Sequence, residues 1–383
     1  MAALPVPSWT VGARLILTVA QKGDKPSLPI ARSARYHPPR RLHEKKRGMN
    51  LHFRDPEAAG LYLRNKTANA KERLAIAEHG FSLRYSDPAA MRAWCDAALI
   101  NLPLEIDAHT AALLHGYAGN AHRVVGEFAS AEHLLKEALA LSPTSDPLLL
   151  EFWSSLLSDL GKLTESSEVL SQAARLRRKK QDPLPLASTL LQSAIVLDLT
   201  EQPDDAARVA LNAIKEIASH PPVGKGEELL RTSLQNLALY LTDSGRPKDA
   251  LMVLRHSRFL LEKGGFRFEL RVEWLLARIA GALGDASARE AFVAIRKRFS
   301  DEQMLQEVAL VSLDLARHLL PSSPLEARAE VSSVGPILTQ LGIAEDAEEF
   351  QLLHSILASS QLELKLLAEL SRALYARPRF KDF

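Results

Sequence analysis

The chain has 383 residues, with 48 Lys and Arg against 46 Asp and Glu, 46% hydrophobic but only 6% aromatic residues, and a single cysteine. The apolar fraction excludes global disorder, and the length gives room for two or three domains or one extended array. One thiol excludes an internal disulfide or a Cys-rich zinc site and fits a reducing cytoplasm, and a net charge of +2 creates no overall basic field for nucleic acid.

That near-neutral balance conceals an asymmetry. Residues 1–48 carry ten Lys and Arg, two acids and six of the 21 prolines, a balance of +8 that leaves the rest of the chain at −6. The apolar run Leu15 to Ala20 is far short of the roughly 20 residues that span a bilayer. It also lacks the basic n-region of a secretory signal, since Arg14 abuts it directly. An organellar transit peptide or a basic arm for nucleic acid or an anionic surface are two readings. A third is a disordered leader or an over-extended gene start ahead of Met49, because composition switches there from basic and aperiodic to acidic and amphipathic. Glu44-Lys45-Lys46-Arg47-Gly48 can also be encoded by purine-rich codons like those of a ribosome-binding site. The expected division is therefore 1–48 and a helical domain over 49–383.

From about residue 57 onward, apolar residues recur at three and four positions, and Ala, Leu, Glu and Arg dominate. No segment alternates as a strand would, so the expected class is all-α. Asp55-Pro56, Asp87-Pro88, Asp146-Pro147 and Asp182-Pro183 each place a capping carboxylate before a proline suited to the first helical position. Phe81, Trp94 and Ile100 are expected in an N-terminal capping pair over 57–104.

The chain then repeats itself. Tyr117-Ala118-Gly119-Asn120, Gly126, Ala131, Leu135, Ala138 and Pro143 place small residues at offsets 0, 7, 12 and 19 from Gly119 and a proline at 24. Weaker copies follow at Gly161, Ser166, Leu170 and Ala173 after Trp153, then at Ala194, Ala206, Ala210 and Ala213 with a Glu201-Gln202-Pro203 turn. A clearer copy holds Asn236, Leu237-Ala238, Gly245, Ala250 and Leu254. The fifth runs from Trp274-Leu275-Leu276-Ala277 through Gly284-Asp285 to Ala288 and Phe292. Two degenerate pairs are expected at about 302–342 and 344–376, the last closed by a helix from Leu362 to Leu374, with a frayed tail over Arg377 to Phe383.

This pattern resembles the tetratricopeptide repeat, whose period is about 34 residues. The steps between Ala131, Ser166, Ala206 and Ala250 are 35, 40 and 44, so the repeats are degenerate, in the manner of bacterial regulatory solenoids. They are clearest over about 110–300. The resemblance implies a right-handed α-α superhelix, a solenoid of antiparallel helix pairs in which Gly119 and Ala131 allow two backbones to approach and Gly126 turns the chain.

No catalytic motif accompanies the repeats. Gly224-Lys225-Gly226 lacks the Ser or Thr and the upstream glycine of a phosphate loop and reads as a linker. Neither His-Glu-x-x-His nor Gly-x-Ser-x-Gly occurs. His115, His122 and His133 read as packing side chains more readily than as metal ligands, and Cys95 as a buried thiol. Arg175, Arg177, Arg178, Lys179 and Lys180 suit a helix C-terminus, with anion or nucleic-acid contact as the alternative. Arg296-Lys297-Arg298 forms a second basic cluster. No metal or cofactor is expected, and no enzyme.

The resemblance instead implies a concave groove, lined by the first helix of each pair, that holds a peptide or protein segment. Its register assigns to that groove Asn120, Arg123, Glu151, Ser155, Gln192, Thr232, Gln235, Asn236, Arg271, Trp274 and Arg278. One subset of the family clamps a terminal carboxylate with a lysine and an asparagine; Asn120 matches the asparagine, but Gly116 stands in the place of the lysine. The expected function is a non-enzymatic, cytoplasmic, bacterial scaffold or regulator that binds a protein or peptide and no membrane. The alternative is a peptide-responsive transcription or signalling regulator with nucleic-acid contact, although 57–104, the only room for a helix-turn-helix, reads more readily as a solenoid pair. The gene-start reading expects native protein whose intact mass begins at Met49; a species beginning at Met1 removes it.

Overall fold

The computed structural model describes residues 55–65, 69–84, 86–103, 105–142, 146–219, 224–359 and 361–376. The leader, the start at Met49, Pro143 and the tail from Arg377 lie outside those residues. The described residues form helices and connecting turns, with no strand among them. Three helices lead: α1 (Pro56–Asn65), α2 (Ala70–Ser82) and α3 (Pro88–Leu99). Antiparallel pairs follow: α4 (Ala108–Val124) with α5 (Phe128–Leu141), α6 (Pro147–Asp159) with α7 (Leu163–Lys180), and α8 (Pro183–Leu199) with α9 (Pro203–Ala218). Next come α10 (Lys225–Asp243) with α11 (Pro247–Leu261), and α12 (Phe266–Ala282) with α13 (Ala288–Asp301). Helix α14 (Leu305–Leu319) is followed by α15 (Pro324–Ser332), α16 (Val334–Gln340), α17 (Glu348–Ala358) and α18 (Leu364–Ala376).

Local chemistry explains most of the boundaries. The carboxylates of Asp55, Asp87 and Asp146 accept from the backbone N–H groups of Ala58, Ala90 and Leu148 at 2.7, 2.8 and 2.8 Å, each ahead of a proline whose fixed φ suits the first turn. Asp182 departs from this expectation. Its side chain makes no capping bond, and only its carbonyl enters the helix, accepting from Leu186 N–H. Pro183 alone presets that start.

Within each pair the seam is narrow because the second helix presents a small residue there: Ala131, Ser166, Ala206 and Ala250 are all fully buried. A Cβ placed on Gly119 would lie 2.7 Å from Leu135 Cγ, so the first seam has no room for a side chain. Gly126, Gly161, Gly245 and Gly284 turn the chain between paired helices at φ of 84, 72, 75 and 74°, a left-handed conformation that glycine adopts without strain. In α8–α9 the same place is taken by Glu201 at φ 61°, which is why no glycine marks that repeat. Three aromatic rings, Phe81, Tyr117 and Phe152, meet with centroids 5.5 to 5.7 Å apart and join α2 to the first two pairs.

Both ends differ in detail from the expected pairs. The N-terminal segment is three helices, not two. Over 302–342 the second helix is split at Ser333, because Pro336 has no N–H to return to the carbonyl of Ser332. The last helix begins at Leu364 and ends at Ala376, two residues later than expected at each end. It packs on α14 and α17 through the fully buried Leu367, Leu370 and Leu374. Among the described residues no helix is long and apolar enough to cross a membrane.

First helices of successive pairs also touch one another, α4 with α6, α8 with α10, α10 with α12 and α12 with α14, and so line a common inner face. Gly119→Leu is expected to lower unfolding free energy by roughly 2–3 kcal/mol through overpacking of this seam, measured by urea denaturation.

Candidate functional site

A row of charged side chains runs along the C-terminal ends of the inner helices. Arg123 near the end of α4 donates to Asp159 at the end of α6 at 2.6 Å. Asp243 at the end of α10 accepts from Arg278 of α12 at 2.7 Å. Arg278 also lies 3.4 Å from Asp314 of α14, which accepts from Trp274 Nε1 at 2.9 Å and stands 3.3 Å from Arg317. Carboxylates at helix C-termini oppose the macrodipole and need compensation. Here a guanidinium from a neighbouring inner helix supplies it.

Asp198, next to last in α8, is the exception. Among the described residues no cation lies within ion-pair distance of its half-buried carboxylate. Burial, reinforced by the charge of Asp243, pushes its pKa up to about 7, although Arg278 and Arg372 pull it down. Burial raises Asp159 and Asp243 as well, against the opposing pull of their arginine partners. Arg278 is held firmly charged: burial works against it, but Asp243, Asp314 and Asp198 outweigh that penalty.

All of these groups except Arg123 and Asp159 line a cavity of about 330 Å³, within the range of small-ligand sites. Its inner wall is built by Asp198 and Leu199 of α8, Leu239 and Asp243 of α10, Trp274 and Arg278 of α12, and Leu310, Asp314 and Arg317 of α14. Helix α18 forms the opposite wall with Ala368, Ser371, Arg372 and Tyr375. Charged groups and apolar surface therefore meet in one enclosure, with an unpaired carboxylate on α8.

The eleven residues expected in the groove fall into two groups. In the N-terminal half they serve helix packing. Asn120 is 3% exposed and accepts from Arg123 Nε at 2.9 Å. Glu151 is 6% exposed, gripped by both Nε and Nη2 of Arg177 and by the Thr189 hydroxyl at 2.6 Å. The Ser155 hydroxyl donates to the Glu151 carbonyl, and Gln192 has a buried Oε1 with no hydrogen-bond donor. Arg177 thus leaves the exposed basic run of α7 to hold α6, while Thr189 ties α8 of the next pair to the same carboxylate.

In the C-terminal half, Trp274 and Arg278 line the main cavity, and with Gln235 and Arg271 they line a smaller adjacent one. Trp274 is only 7% exposed. Arg271 donates to the fully buried Glu307 at 2.7 Å, Asn236 stands one turn before the buried Tyr240 on α10, and Thr232 returns its hydroxyl to the Glu228 carbonyl. The reading of the sequence missed Asp198, Glu201, Asp243, Asp314, Arg317, Arg372 and Tyr375. A signal was present for two of them, since Asp198 and Asp243 each put a carboxylate at a helix end where the dipole opposes it.

The histidines and the thiol stand apart. His122 bridges Glu127 at 2.6 Å and Asp96 at 3.0 Å, His115 lies 3.5 Å from Glu137, and His133 is exposed on α5. Cys95 is fully buried, and burial with the charge of Asp96 raises its thiol pKa to about 12, which leaves almost no thiolate at neutral pH.

Because its folded pKa exceeds that of an unfolded aspartate, Asp198 binds a proton in the folded chain between roughly pH 4 and pH 7 that the unfolded chain has released. Its contribution to stability therefore falls as pH rises through that window and stays low above it. Asp198→Asn is expected to stabilise the fold by roughly 1–3 kcal/mol at pH 8 and by progressively less toward pH 4, measured by urea denaturation at each pH.

No protein-family model matches the chain, and no curated protein matches it. Solved structures do. The chain is similar to a Rap protein complexed with competence and sporulation factor, with TM-score 0.59 and 16% identity over 80% of this chain and 89% of that one. It is also similar to the apo form of RapI, with TM-score 0.58 and 12% identity over 76% and 81% of the two chains. The protein is a tetratricopeptide-like α-solenoid with degenerate repeats, sharing the fold of these Rap proteins.

Proposed function

We propose that the protein is a non-enzymatic binding scaffold or regulator that takes a peptide or protein segment against the inner face of α8, α10, α12 and α14. The observation that carries this reading is the Asp198 carboxylate, without an ion-pair partner among the described residues, in a cavity whose other acids are ion-paired and whose remaining surface is partly apolar. A buried carboxylate without a cation is stabilised by one, and the nearby Leu199, Leu239 and Trp274 offer surface for an apolar flank. The chemistry favours a segment that carries an Arg, a Lys or a free N-terminus beside an apolar residue. The fold points the same way, because a Rap protein of this fold is complexed with competence and sporulation factor.

Catalysis has less support. The other acids of the cavity are ion-paired, and the Ser371 hydroxyl in its wall accepts from Arg317 and donates to the carbonyl of Leu367, so no base is positioned to activate it. The proposed contact lies on the C-terminal half of the inner face, where the cavity is, and Asn120 and Glu151 are not among the residues that line it.

The test is binding of an immobilised array of short peptides to wild type and to Asp198→Asn. Wild type is expected to select peptides with a cationic group, and Asp198→Asn to bind them at least about tenfold more weakly, as a charged hydrogen bond of roughly 1.5–3 kcal/mol implies. Affinity for those peptides should rise from pH 6 to pH 8 as Asp198 ionises. Equal recovery of the same peptides by both proteins would remove the cavity from the reading.

A further inference from the structure

The cavity already faces a cation that belongs to the chain itself. Arg372 of α18 reaches across to the α8–α9 turn and forms an ion pair with Glu201 at 2.5 Å, three residues beyond Asp198. Its charge also acts on Asp198. The rest of α18 is anchored elsewhere: its leucines are buried among α14 and α17, the Arg317 guanidinium donates to the Ser371 hydroxyl at 3.0 Å, and the Gln306 amide donates to the carbonyl of Leu374. Toward α8, the helix reaches across through a side-chain ion pair whose partners are 29% and 60% exposed. Such pairs contribute little and exchange readily with another cation.

We propose that α18 is a latch over the cavity, in which Arg372, paired with Glu201 three residues beyond Asp198, takes from within the chain the place near these carboxylates that a bound segment's cationic group takes when it enters. This rests on the binding reading above for the identity of the competitor, but not for the existence of the latch. Two features favour the arrangement. The hinge side of α18 is held by fully buried leucines, while toward the α8–α9 turn it reaches through the exposed Arg372–Glu201 pair, so opening at Arg372 leaves those leucines in the core. The acceptor sits at Glu201, on the turn held in a left-handed conformation at φ 61°, so the carboxylate projects from a fixed backbone position beside the mouth of the cavity.

Hydrogen exchange over residues 364–376 of the full chain tests the latch. Glu201→Arg and Arg372→Glu, each leaving like charges opposed, are expected to speed exchange in that helix by roughly two- to five-fold, the range an exposed pair supports. The double variant, which restores an opposite pair, should return it to the wild-type rate. Singles that exchange like wild type, or a double variant that exchanges like the singles, overturn the latch. Arginine amide supplies a free guanidinium probe. At ionic strength matched with KCl it should speed exchange over 364–376 in wild type and not in Asp198→Asn; equal acceleration by KCl overturns the competition. Arg372→Ala should bind the cationic peptides of the array roughly two- to five-fold more tightly. Peptides that bind wild type and Arg372→Ala equally, without altering exchange over 364–376, overturn the latch and leave the binding reading standing. If no peptide binds either protein, the binding reading falls while the charge-reversal result still decides whether the helix closes on α8.

Discussion

The narrow seam between paired helices is the constraint on which the rest depends. Gly119, Ala131, Ser166, Ala206 and Ala250 stand where two backbones approach so closely that a larger side chain has nowhere to go, and close packing makes such contacts intolerant of added volume. With the pairs drawn tight, the larger apolar residues must bury between pairs instead, so each pair is stable only against its neighbours. Stacking of that kind puts the first helices side by side on one face. Their C-terminal ends, and whatever charges those ends carry, are then brought into line.

The charges at those ends oppose the helix dipole, and the fold resolves the conflict by pairing between repeats. Arg123 with Asp159, and Arg278 with Asp243 and Asp314, each join different inner helices. Half-buried guanidinium–carboxylate pairs of this sort contribute less to stability than their geometry suggests, since both partners lose water. Their consequence is positional: each fixes the register of one pair against the next. Asp198 has no such partner, and the same burial that strengthens the other rungs keeps its carboxyl protonated to near neutral pH. Above that pH the ionised carboxylate is destabilising, and a cation brought beside it would offset the cost.

Periodicity made the helices, the turn glycines and the small-residue seams legible, because each depends on residues within one repeat. The groove was only partly legible. Register alone places Asn120, Glu151 and Trp274 on the inner helices, where the structure also has them, but it says nothing of the neighbours that claim them. Arg123, Arg177 and Asp314 do so from 3 to 40 residues away. Asp198 went unmarked because its importance lies in the absence of a partner, a property no single repeat contains. The split of the penultimate pair at Ser333 was encoded plainly in Pro336, yet the degenerate repeat around it obscured the break.

Composition and periodicity by themselves determined that this chain forms Ala- and Leu-rich helix pairs, where each turn falls, and that adjacent pairs share a buried face, since all of these follow from local propensity and the 3.6-residue period. Tertiary structure alone decided that the charges at the C-terminal ends of the inner helices sort into pairs that leave Asp198 without one, and that residues as distant as Glu201 and Arg372 meet across a cavity. The physical reason is that electrostatic pairing depends on separation in space and on burial, and both are set only after the seams have closed and α18 has turned back onto the inner face.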